Sequence, residues 1–292
     1  RLCTMVSMPF AVVIPAYNDR SRVATAVRSA LDQPEVSEVV VVDDGSTDDT
    51  AAVAISSGDP RVQVVRQENA GPASARNTGV GASTASFVIF LDSDDELVGG
   101  ALRGLEERHL AGALLVRSGA VVVGAMEPRS ERTWLAEPCD LPYPRGAPLA
   151  GAFSVARSAL DRVGGYDPAF KYGENSELLL RLTADIGPVA VEYADWPTVR
   201  RIERGGRSSD FYLARRLSAA FRMLDVHASE LDADAATRAN HHAIISRLLQ
   251  AQGRRVAAVR HAAQAAMIRP GFGWRDWGRV ILCLGPRRPL SE

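Results

Sequence analysis

Short, wholly apolar runs that alternate with segments of helical periodicity are the feature that most constrains the fold of this chain. Within the first hundred residues, four such runs read FAVVIPAY, EVVVVDD, RVQVVRQ and SFVIFLD. The segments between them, such as RSRVATAVRSALDQ, place apolar residues three or four positions apart, as an amphipathic helix does. Strands that are apolar on both faces and separated by helices predict an α/β fold, with a mostly parallel, Rossmann-like sheet flanked by helices.

Polar and acidic side chains follow three of these runs. Ligands of such sheets bind at the carboxyl ends of the strands, which places Pro15–Asn18, Asp43–Asp44 and Asp92–Asp94 along one edge. The run FVIFLDSDD is notable because crowded carboxylates are costly unless positive charge lies between them. A strand-end Asp-x-Asp suits Mg²⁺ or Mn²⁺, which prefer oxygen ligands and bridge to a diphosphate. A chance loop or a helix cap is the alternative interpretation.

Composition excludes several classes of protein. The 292 residues are 46% hydrophobic and 24% charged, as is usual for a soluble globular protein, and a net charge of −1 gives no general attraction to nucleic acid. The three cysteines are far apart and indicate neither a zinc site nor a disulfide framework. No apolar run approaches the roughly 18 residues of a membrane span. We therefore expect a cytoplasmic protein, in which WGRVILCLGPRRPL either contacts the inner face of the cell membrane or packs as a tail.

The later part of the chain is less regular. LLVRSGAVVVGAM is predicted to be a helix end and a strand, or two strands, and the proline-rich EPRSERTWLAEPCDLPYPRGAP is predicted to be a loop. ENSELLLRLTADIG has the pattern of an amphipathic helix that ends at Gly187, and PVAVEYADWPTVRRIE that of a strand. From about residue 208 the pattern is helical, with a hairpin that turns at Gly253 and is closed by Pro270.

Four motifs in a fixed order resemble the family 2 glycosyltransferases of the GT-A fold: VVIPAYN, VVVVDDGSTDDT, NAGPASARNTGVGAS and FVIFLDSDD. The match is dense over residues 11–96 and looser to about residue 183. The resemblance implies a GT-A domain with a nucleotide-sugar-binding half at 1–100 and an acceptor-binding half at 101–207, followed by a helical extension at 208–292. It also implies metal-dependent transfer of a sugar from a nucleoside diphosphate, with UDP expected first, to a hydroxyl or amine of a glycan, glycolipid or natural product.

The resemblance also implies a donor site. The expected nucleotide contacts are Pro15, Ala16, Tyr17, Asp43, Asp44, Arg76, Asp92 and Ser93. Asp44 is expected to accept the imide N–H of the base, because an imide donor needs an acceptor, although capping of the next helix is the alternative. Asp92 is expected on the ribose and as a second metal ligand, and Asp94 is expected to hold Mn²⁺ or Mg²⁺ on the diphosphate. Arg76 is expected near the base and phosphates, with a solvated side chain as the alternative.

The expected general base is where the chain departs from the family. Inverting members use the Asp of a Glu-Asp pair that opens a helix, to deprotonate the acceptor. Here YGENSELLLRL places Asn175 at that position, and a neutral amide cannot accept the proton. Glu174 or Glu177 serves instead, or both acids only favour the helix N-terminus, or the reaction retains configuration. A degenerate protein that keeps the nucleotide pocket and acts as a scaffold is the alternative function.

A second departure concerns the acceptor or phosphate side of the site, for which the candidates are Trp196, Glu203 and Arg207. Many relatives carry a histidine near Glu203, which is either a metal ligand or a surface acid. Trp196 can stack on a sugar or pack in the core. The arginines around Arg207 can face phosphates or solvent. A nucleotidyltransferase is disfavoured, because PAYNDRSR has no glycine to cradle a triphosphate.

Overall fold

The computed structural model describes residues 10–124, 130–136, 149–203, 210–232 and 235–268. The strands are β1 (Phe10–Ala16), β2 (Val36–Asp43), β3 (Val62–Arg66), β4 (Phe87–Phe90), β5 (Glu96–Leu97), β6 (Leu115–Val123), β7 (Glu131–Trp134), β8 (Phe153–Ala156) and β9 (Val191–Ile202). The helices are α1 (Val23–Leu31), α2 (Thr50–Ile55), α3 (Pro72–Ala82), α4 (Arg103–Leu110), α5 (Arg157–Val163), α6 (Glu174–Ile186), α7 (Asp210–Val226), α8 (Ala228–Asp232), α9 (Ala235–Ala251) and α10 (Arg255–Ile268).

The first half of the chain forms the predicted parallel sheet. The strand order is β3-β2-β1-β4-β8-β6-β9-β5, and β1 pairs in parallel with both β2 and β4. All four apolar runs become strands, so their carboxyl ends meet at one edge. In the register of the β1–β2 pair, Ala16 lies opposite Asp43, which brings the two following loops together.

Residues of β2 alternate between two apolar clusters, one on each face of the sheet. Val39 and Val41 belong to a cluster that includes Val23 and Val27 of α1. Val40 and Val42 belong to a second cluster with Ala75 of α3. This alternation explains why the strand has to be apolar throughout. Helix α3 approaches the sheet closely at Gly79, where a Cβ atom would lie 2.4 Å from Val13 Cγ1.

The second half of the sheet mixes strand directions. Strand β8 is antiparallel to both β4 and β6, whereas β9 is parallel to β6. LLVRSGAVVVGAM contains a single nine-residue strand, β6, rather than two elements. The prediction of a continuous loop over EPRSERTWLAEPCDLPYPRGAP was wrong at its start, because β7 pairs with the edge of β6 through backbone hydrogen bonds. Polar, partly exposed edge strands such as β7 lack the apolar pattern by which strands are recognised.

The chain divides into two compact units. One consists of 1–138, 146–169 and 181–204, and the other of 139–145, 170–180 and 205–292. In this division the first half of α6 lies with the C-terminal helices, and the predicted domain boundary near residue 208 stays a prediction. The physical reason is a small apolar cluster within the second unit, formed by Phe170, Leu180, Met223 and Leu231.

The second unit, called the helical unit below, contains the predicted hairpin. Helices α9 and α10 are joined at Gly253, whose φ of 77° is left-handed and suits glycine. Apolar residues of α7, α9 and α10 form one cluster, which includes Leu217, Ile245, Leu249 and Ala258. Pro270, the predicted end of the hairpin, lies outside the described residues. None of the described helices combines the length and the apolar character that a membrane span needs.

Candidate active site

The loops after β1 and β2 are tied together by hydrogen bonds. The backbone N–H of Asn18 donates to Ser46 Oγ at 2.9 Å, and Asn18 Oδ1 accepts from the Thr47 N–H at 2.8 Å. Asn18 is left-handed with φ of 49°, a conformation that asparagine tolerates better than most residues. The N–H of Asp19 donates to Thr50 Oγ1 at 2.8 Å. These contacts fix the position of the Pro15–Asn18 segment against the second strand end.

The carboxylate of Asp43 closes the turn after β2. It is 1% exposed, and Oδ1 accepts from the backbone N–H of Ser46 at 2.9 Å. Arg66 Nε lies 3.5 Å from Oδ2. These contacts account for a buried acid at this position, so a contact between Asp43 and a nucleotide stays a prediction.

The carboxylate of Asp44 anchors the loop that precedes α3. Oδ1 accepts from Gln67 Nε2 at 2.7 Å and from the Ala70 N–H at 2.9 Å, and Oδ2 accepts from the Gly71 N–H at 2.8 Å. Asp44 thus holds the neighbouring loop, rather than only capping the helix that follows it. A carboxylate has about four lone-pair positions, so three of them are used and one remains for a ligand.

Arg76 is buried and oriented rather than solvated. It is 2% exposed, its Nη2 donates to Asp92 Oδ1 at 2.8 Å, and its Cζ lies 5.2 Å from the centroid of the Tyr166 ring. The neighbouring Asn77 makes a two-point contact with the backbone of Tyr166, accepting from its N–H and donating to its carbonyl, both at 2.8 Å. Arg76 therefore fixes Asp92 in the turn after β4, while Asn77 fixes the glycine turn that contains Gly165.

Three acids converge in the turn after β4. Carboxylate oxygens of Asp92, Asp94 and Asp95 lie within 4.8 Å of one another, the only such group of potential metal ligands within the described ranges. Burial raises the pKa of the Asp94 carboxyl above its usual value, and the charge of Asp92 raises it further. The charges of Arg22 and Arg201 act in the opposite direction. A cation bound beside Asp94 would therefore stabilise the ionised form of its carboxyl group.

The middle residue of the Asp-x-Asp motif is fixed from the β1 side. Ser93 Oγ donates to Asp19 Oδ2 at 2.6 Å, and Asp19 also pairs with Arg22. Asp19 is 4% exposed. Sequence analysis missed Asp19 and Arg22, because an isolated Asp and Arg at a helix start carry no pattern that indicates this contact.

A cavity of about 190 Å³ lies among these loops. It is lined by Pro15, Ala16, Tyr17, Asp44, Pro72, Asp92, Ser93 and Asp94. Seven of these eight residues are among the predicted donor-site residues, whereas Pro72 was missed. Tyr17 is 53% exposed, which is unusual for a tyrosine and leaves its ring available for stacking. The other two predicted nucleotide residues, Asp43 and Arg76, do not line the cavity and instead hold its turns.

The two candidate bases of α6 differ in environment. Glu177 is 1% exposed, and its Oε1 lies 2.9 Å from His227 Nε2, within the helical unit. Glu174 is partly exposed in the first turn of the helix. A base has to reach the acceptor hydroxyl, so the burial of Glu177 favours Glu174. Either role stays a prediction.

The predicted acceptor-side residues find other partners. Trp196 Nε1 donates to the Ala101 carbonyl at 3.1 Å, Arg108 lies over its ring at 4.6 Å, and a Cβ on Gly104 would lie 2.5 Å from its Cζ2. These contacts describe a packing residue and do not favour stacking on a sugar. Glu203, whose side chain is 20% exposed, pairs with Arg132 at 3.2 Å, and its role as a metal ligand stays a prediction. Arg207 lies outside the described residues.

The fold defined by this sheet and its strand-end site is that of the GT-A glycosyltransferases. A crystal structure of S. aureus TarS (residues 1–349) aligns with 95% of this chain and 87% of its own, with a TM-score of 0.64 and 18% identity. The structure of the same protein with UDP-GlcNAc aligns with a TM-score of 0.61 and 17% identity. At this level of identity the alignment is a likeness of fold.

The chain belongs to glycosyl transferase family 2, whose model matches residues 11–166. The succinoglycan biosynthesis proteins ExoU and ExoO of Rhizobium meliloti are similar to it, with 48% identity over 94 residues and 39% over 122 residues. These segments are 31% and 41% of this chain, and 28% and 35% of the two relatives. A Campylobacter jejuni GalNAc(5)-diNAcBac-PP-undecaprenol β-1,3-glucosyltransferase is 34% identical over 102 residues, about a third of each chain. The matches therefore span about a third of the curated relatives.

Proposed function

We propose that this protein is a metal-dependent glycosyltransferase. It transfers a sugar from a nucleoside diphosphate, preferably UDP, to a hydroxyl or amine of a glycan, glycolipid or natural product, with inversion at the anomeric carbon. The observation that carries the proposal is the convergence of Asp92, Asp94 and Asp95 beside the cavity that Tyr17 and Asp44 line. Membership of glycosyl transferase family 2 gives that arrangement its chemical context.

The acidic turn fits a divalent cation. Its three carboxylates lie within 4.8 Å of one another, and burial together with the charge of Asp92 disfavours the ionised form of Asp94, as the raised pKa indicates. Mg²⁺ and Mn²⁺ take such hard oxygen ligands and are completed by water and phosphate oxygens. Asp94 and Asp92 would hold the ion. A bound cation supplies positive charge for the diphosphate that leaves with its nucleoside.

The remaining donor-site residues have roles that follow from their contacts. Arg76 holds Asp92 in one orientation, which suits that carboxylate for the ribose hydroxyls or the metal. Tyr17 offers an exposed ring to the base. Asp44 retains one acceptor position for an imide N–H, the donor that uracil and thymine carry. Asp44 and Asp92 are held by hydrogen bonds before the donor binds, so these two carboxylates need little reorganisation.

Glu174 is the proposed general base. It is the partly exposed acid of the first turn of α6, and inversion requires a group that takes the proton from the acceptor hydroxyl. Asn175 cannot do so, and Glu177 is engaged with His227.

The names of relatives support the proposed acceptor class. ExoU and ExoO are succinoglycan biosynthesis proteins, and the Campylobacter jejuni relative is a glucosyltransferase named for an undecaprenol-linked glycan. UDP is favoured because the TarS structures include complexes with UDP and UDP-GlcNAc. We therefore propose a bacterial polysaccharide or lipid-linked glycan as the acceptor.

Turnover of sugar nucleotides tests the proposal. UDP-, dTDP- and GDP-sugars are incubated with the protein in Mn²⁺, in Mg²⁺ or in EDTA, and release of the nucleoside diphosphate is measured. We expect release from one nucleotide class, in the presence of metal only. As a matched control, Asp185→Asn removes an acid that pairs with Arg162 at the surface and should leave release unchanged.

A second function is motivated by Asn175. A protein that retains the donor cavity but has lost the base would bind the nucleotide without transferring the sugar, and would act as a nucleotide-binding or scaffold module. Metal-dependent nucleotide binding with no turnover of any donor would favour this alternative. Turnover above the level of an Asp94→Asn variant would exclude it.

A further inference from the structure

Two neighbouring arginines of β9 have different environments. Arg200 Nη1 lies 2.6 Å from Glu131 Oε1, and both side chains are exposed. As whole residues, Arg200 and Arg201 are both partly exposed, but the Nε of Arg201 is buried and has no hydrogen-bond partner among the described residues. A buried N–H of a charged group without an acceptor is costly, so its retention indicates an acceptor that arrives from elsewhere.

The register of the sheet places Arg201 beside the acidic turn. Strand β5 follows that turn directly and is antiparallel to β9, with Leu97 opposite Val199 and Glu96 opposite Arg200. Extended by one residue, this register would bring Arg201 opposite Asp95, the last residue of the acidic turn. Successive residues of a strand point to opposite faces, so Arg201 is directed away from the face on which Arg200 meets Glu131.

The electrostatics agree with this placement. Arg201 is one of two arginines whose charge lowers the pKa of Asp94, against the larger effects of burial and of Asp92, which raise it. The other arginine, Arg22, is already paired with Asp19. Arg201 is thus a cation close to Asp94 that still has an N–H to donate.

We propose that Arg201 binds the diphosphate of the nucleotide donor, whereas Arg200 does not. The inference rests on the proposed function, since it requires a nucleoside diphosphate in the strand-end cavity. A guanidinium matches the geometry of phosphate oxygens and can donate two N–H groups to them at once. Phosphate oxygens also provide the acceptor that Arg201 Nε lacks, and their negative charge complements the positive charge of the guanidinium.

The test is calorimetric titration of Arg201→Met, Arg201→Lys and Arg200→Met with UDP, dTDP, GDP and the matching free nucleosides, in Mn²⁺. Arg200→Met is the matched control, because it removes the same side chain from the adjacent position. We expect Arg201→Met to weaken binding of the nucleoside diphosphate about 10- to 100-fold and to leave binding of the nucleoside unchanged. Arg201→Lys keeps the positive charge but loses the paired N–H groups of the guanidinium, so its affinity for the nucleoside diphosphate should lie between those of wild type and Arg201→Met. The affinity of Arg200→Met should match that of wild type.

The outcomes separate the inference from the proposed function. If wild type binds no nucleoside diphosphate with metal, the proposed function fails and the inference fails with it. If wild type binds one of them and Arg201→Met binds it equally well, only the inference is overturned. Titration with Mn²⁺ alone identifies the rival role: if Arg201 acted only on the charge of Asp94, Arg201→Met would bind Mn²⁺ more tightly and lose no nucleotide affinity. If Arg201→Met does not fold, Arg201→Lys replaces it. Weaker binding of the nucleoside diphosphate by Arg201→Lys than by wild type would then support the inference, and equal binding would overturn it.

Discussion

Two groups of acids in this molecule have opposite environments. In the turn after β4, Asp92, Asp94 and Asp95 crowd together, and the pKa of Asp94 is raised by burial and by Asp92. At the start of α6, Glu177 is just as buried as Asp95, but its carboxylate meets the imidazole of His227 at 2.9 Å. The first group brings three carboxylates close together, one of which pairs with Arg76, whereas Glu177 pairs with a single imidazole.

This difference in environment indicates a functional role for the acids of the β4 turn and a structural role for Glu177. A buried acid with a dedicated partner is a packing element, whose removal mainly costs stability. An acid whose pKa is raised by burial and by a neighbouring acid, as that of Asp94 is, costs stability as long as nothing binds, and such an arrangement is expected where a bound ligand offsets that cost. The comparison therefore predicts that substitutions in the β4 turn affect binding and turnover, whereas substitution of Glu177 affects folding.

The largest expected effect is on turnover. Asp94→Asn keeps the shape of the side chain but removes the charge that we propose holds the cation. We expect metal-dependent release of the nucleoside diphosphate to fall by about a thousandfold, because a lost cation removes most of the charge stabilisation of the leaving group. Initial rates with saturating donor give the measurement. Activity of Asp94→Asn within about threefold of wild type would remove the distinction between the two acid groups.

Substitutions of the two acids of α6, Glu174 and Glu177, should have different effects on the rate of sugar transfer. Glu174→Gln should lower the rate of sugar transfer about a hundredfold, with donor affinity unchanged, because a general base contributes only to the chemical step. Glu177→Gln should transfer sugar at nearly the wild-type rate. The reverse result would reassign the base to Glu177 and would show that its contact with His227 serves catalysis.

The stability of Glu177 variants tests the other half of the comparison. Glu177→Ala removes the carboxylate that contacts the buried ring of His227. We expect the free energy of unfolding to fall by about 1–3 kcal/mol, because a buried polar group then loses its hydrogen-bond partner. Urea denaturation followed by circular dichroism gives the value. Glu230→Ala serves as a control, because Glu230 is more exposed and lies 3.7 Å from the same histidine. Equal losses in both variants would contradict a specific role for Glu177.

Acid pH should destabilise the fold through buried histidines. Burial lowers the pKa of His109 from 6.5 to about 4, while its ring contacts the Ala113 carbonyl and Ser154 Oγ. Between these two values the unfolded chain binds more protons than the folded one, so stability is lost as pH falls below about 6.5. At about pH 5 the loss from His109 is about 2 kcal/mol. Urea denaturation near neutral pH and near pH 5 should show a smaller difference in His109→Gln than in wild type.

The smallest expected effect is a gain in stability rather than a loss. The pKa of Asp94 is raised in the folded protein, so its ionised form is less favourable there than in the unfolded chain. Asp94→Asn should therefore raise the Tm modestly near neutral pH in EDTA, in the same protein that has lost turnover. A lower Tm would mean that the interactions of Asp94 in the free protein outweigh its burial.

Much of the fold was predictable, because it depends on local patterns. The apolar runs of β1 to β4 and the helical period of α6 and α9 are visible in any window of ten residues. Strand β7 was missed because its residues are mostly polar and exposed, and α4 was missed because RGLEERHL has few apolar positions. The place of the first half of α6 in the helical unit depends on contacts between distant residues, which no local pattern records.

The family motifs indicate residues that the folded chain brings to one cavity. Tyr17, Asp44, Asp92 and Asp94 line it, and their contacts with a donor stay predictions. Their roles were less predictable, since hydrogen bonds that only the folded chain reveals make Asp44 the anchor of a loop and Arg76 the support of Asp92. Trp196 illustrates the limit, because whether an aromatic ring packs or binds depends on the surface beneath it, here Gly104.

The most direct test of the central claim is calorimetric titration of UDP, dTDP and GDP into wild type and Asp94→Asn, each with Mn²⁺ and with EDTA. The account predicts that wild type binds one nucleotide in Mn²⁺ and at least tenfold more weakly in EDTA. It predicts that Asp94→Asn loses the metal-dependent part while remaining folded. Equal affinity of the two proteins for the same nucleotide in Mn²⁺ would contradict the assignment of the acidic turn as the metal and donor site.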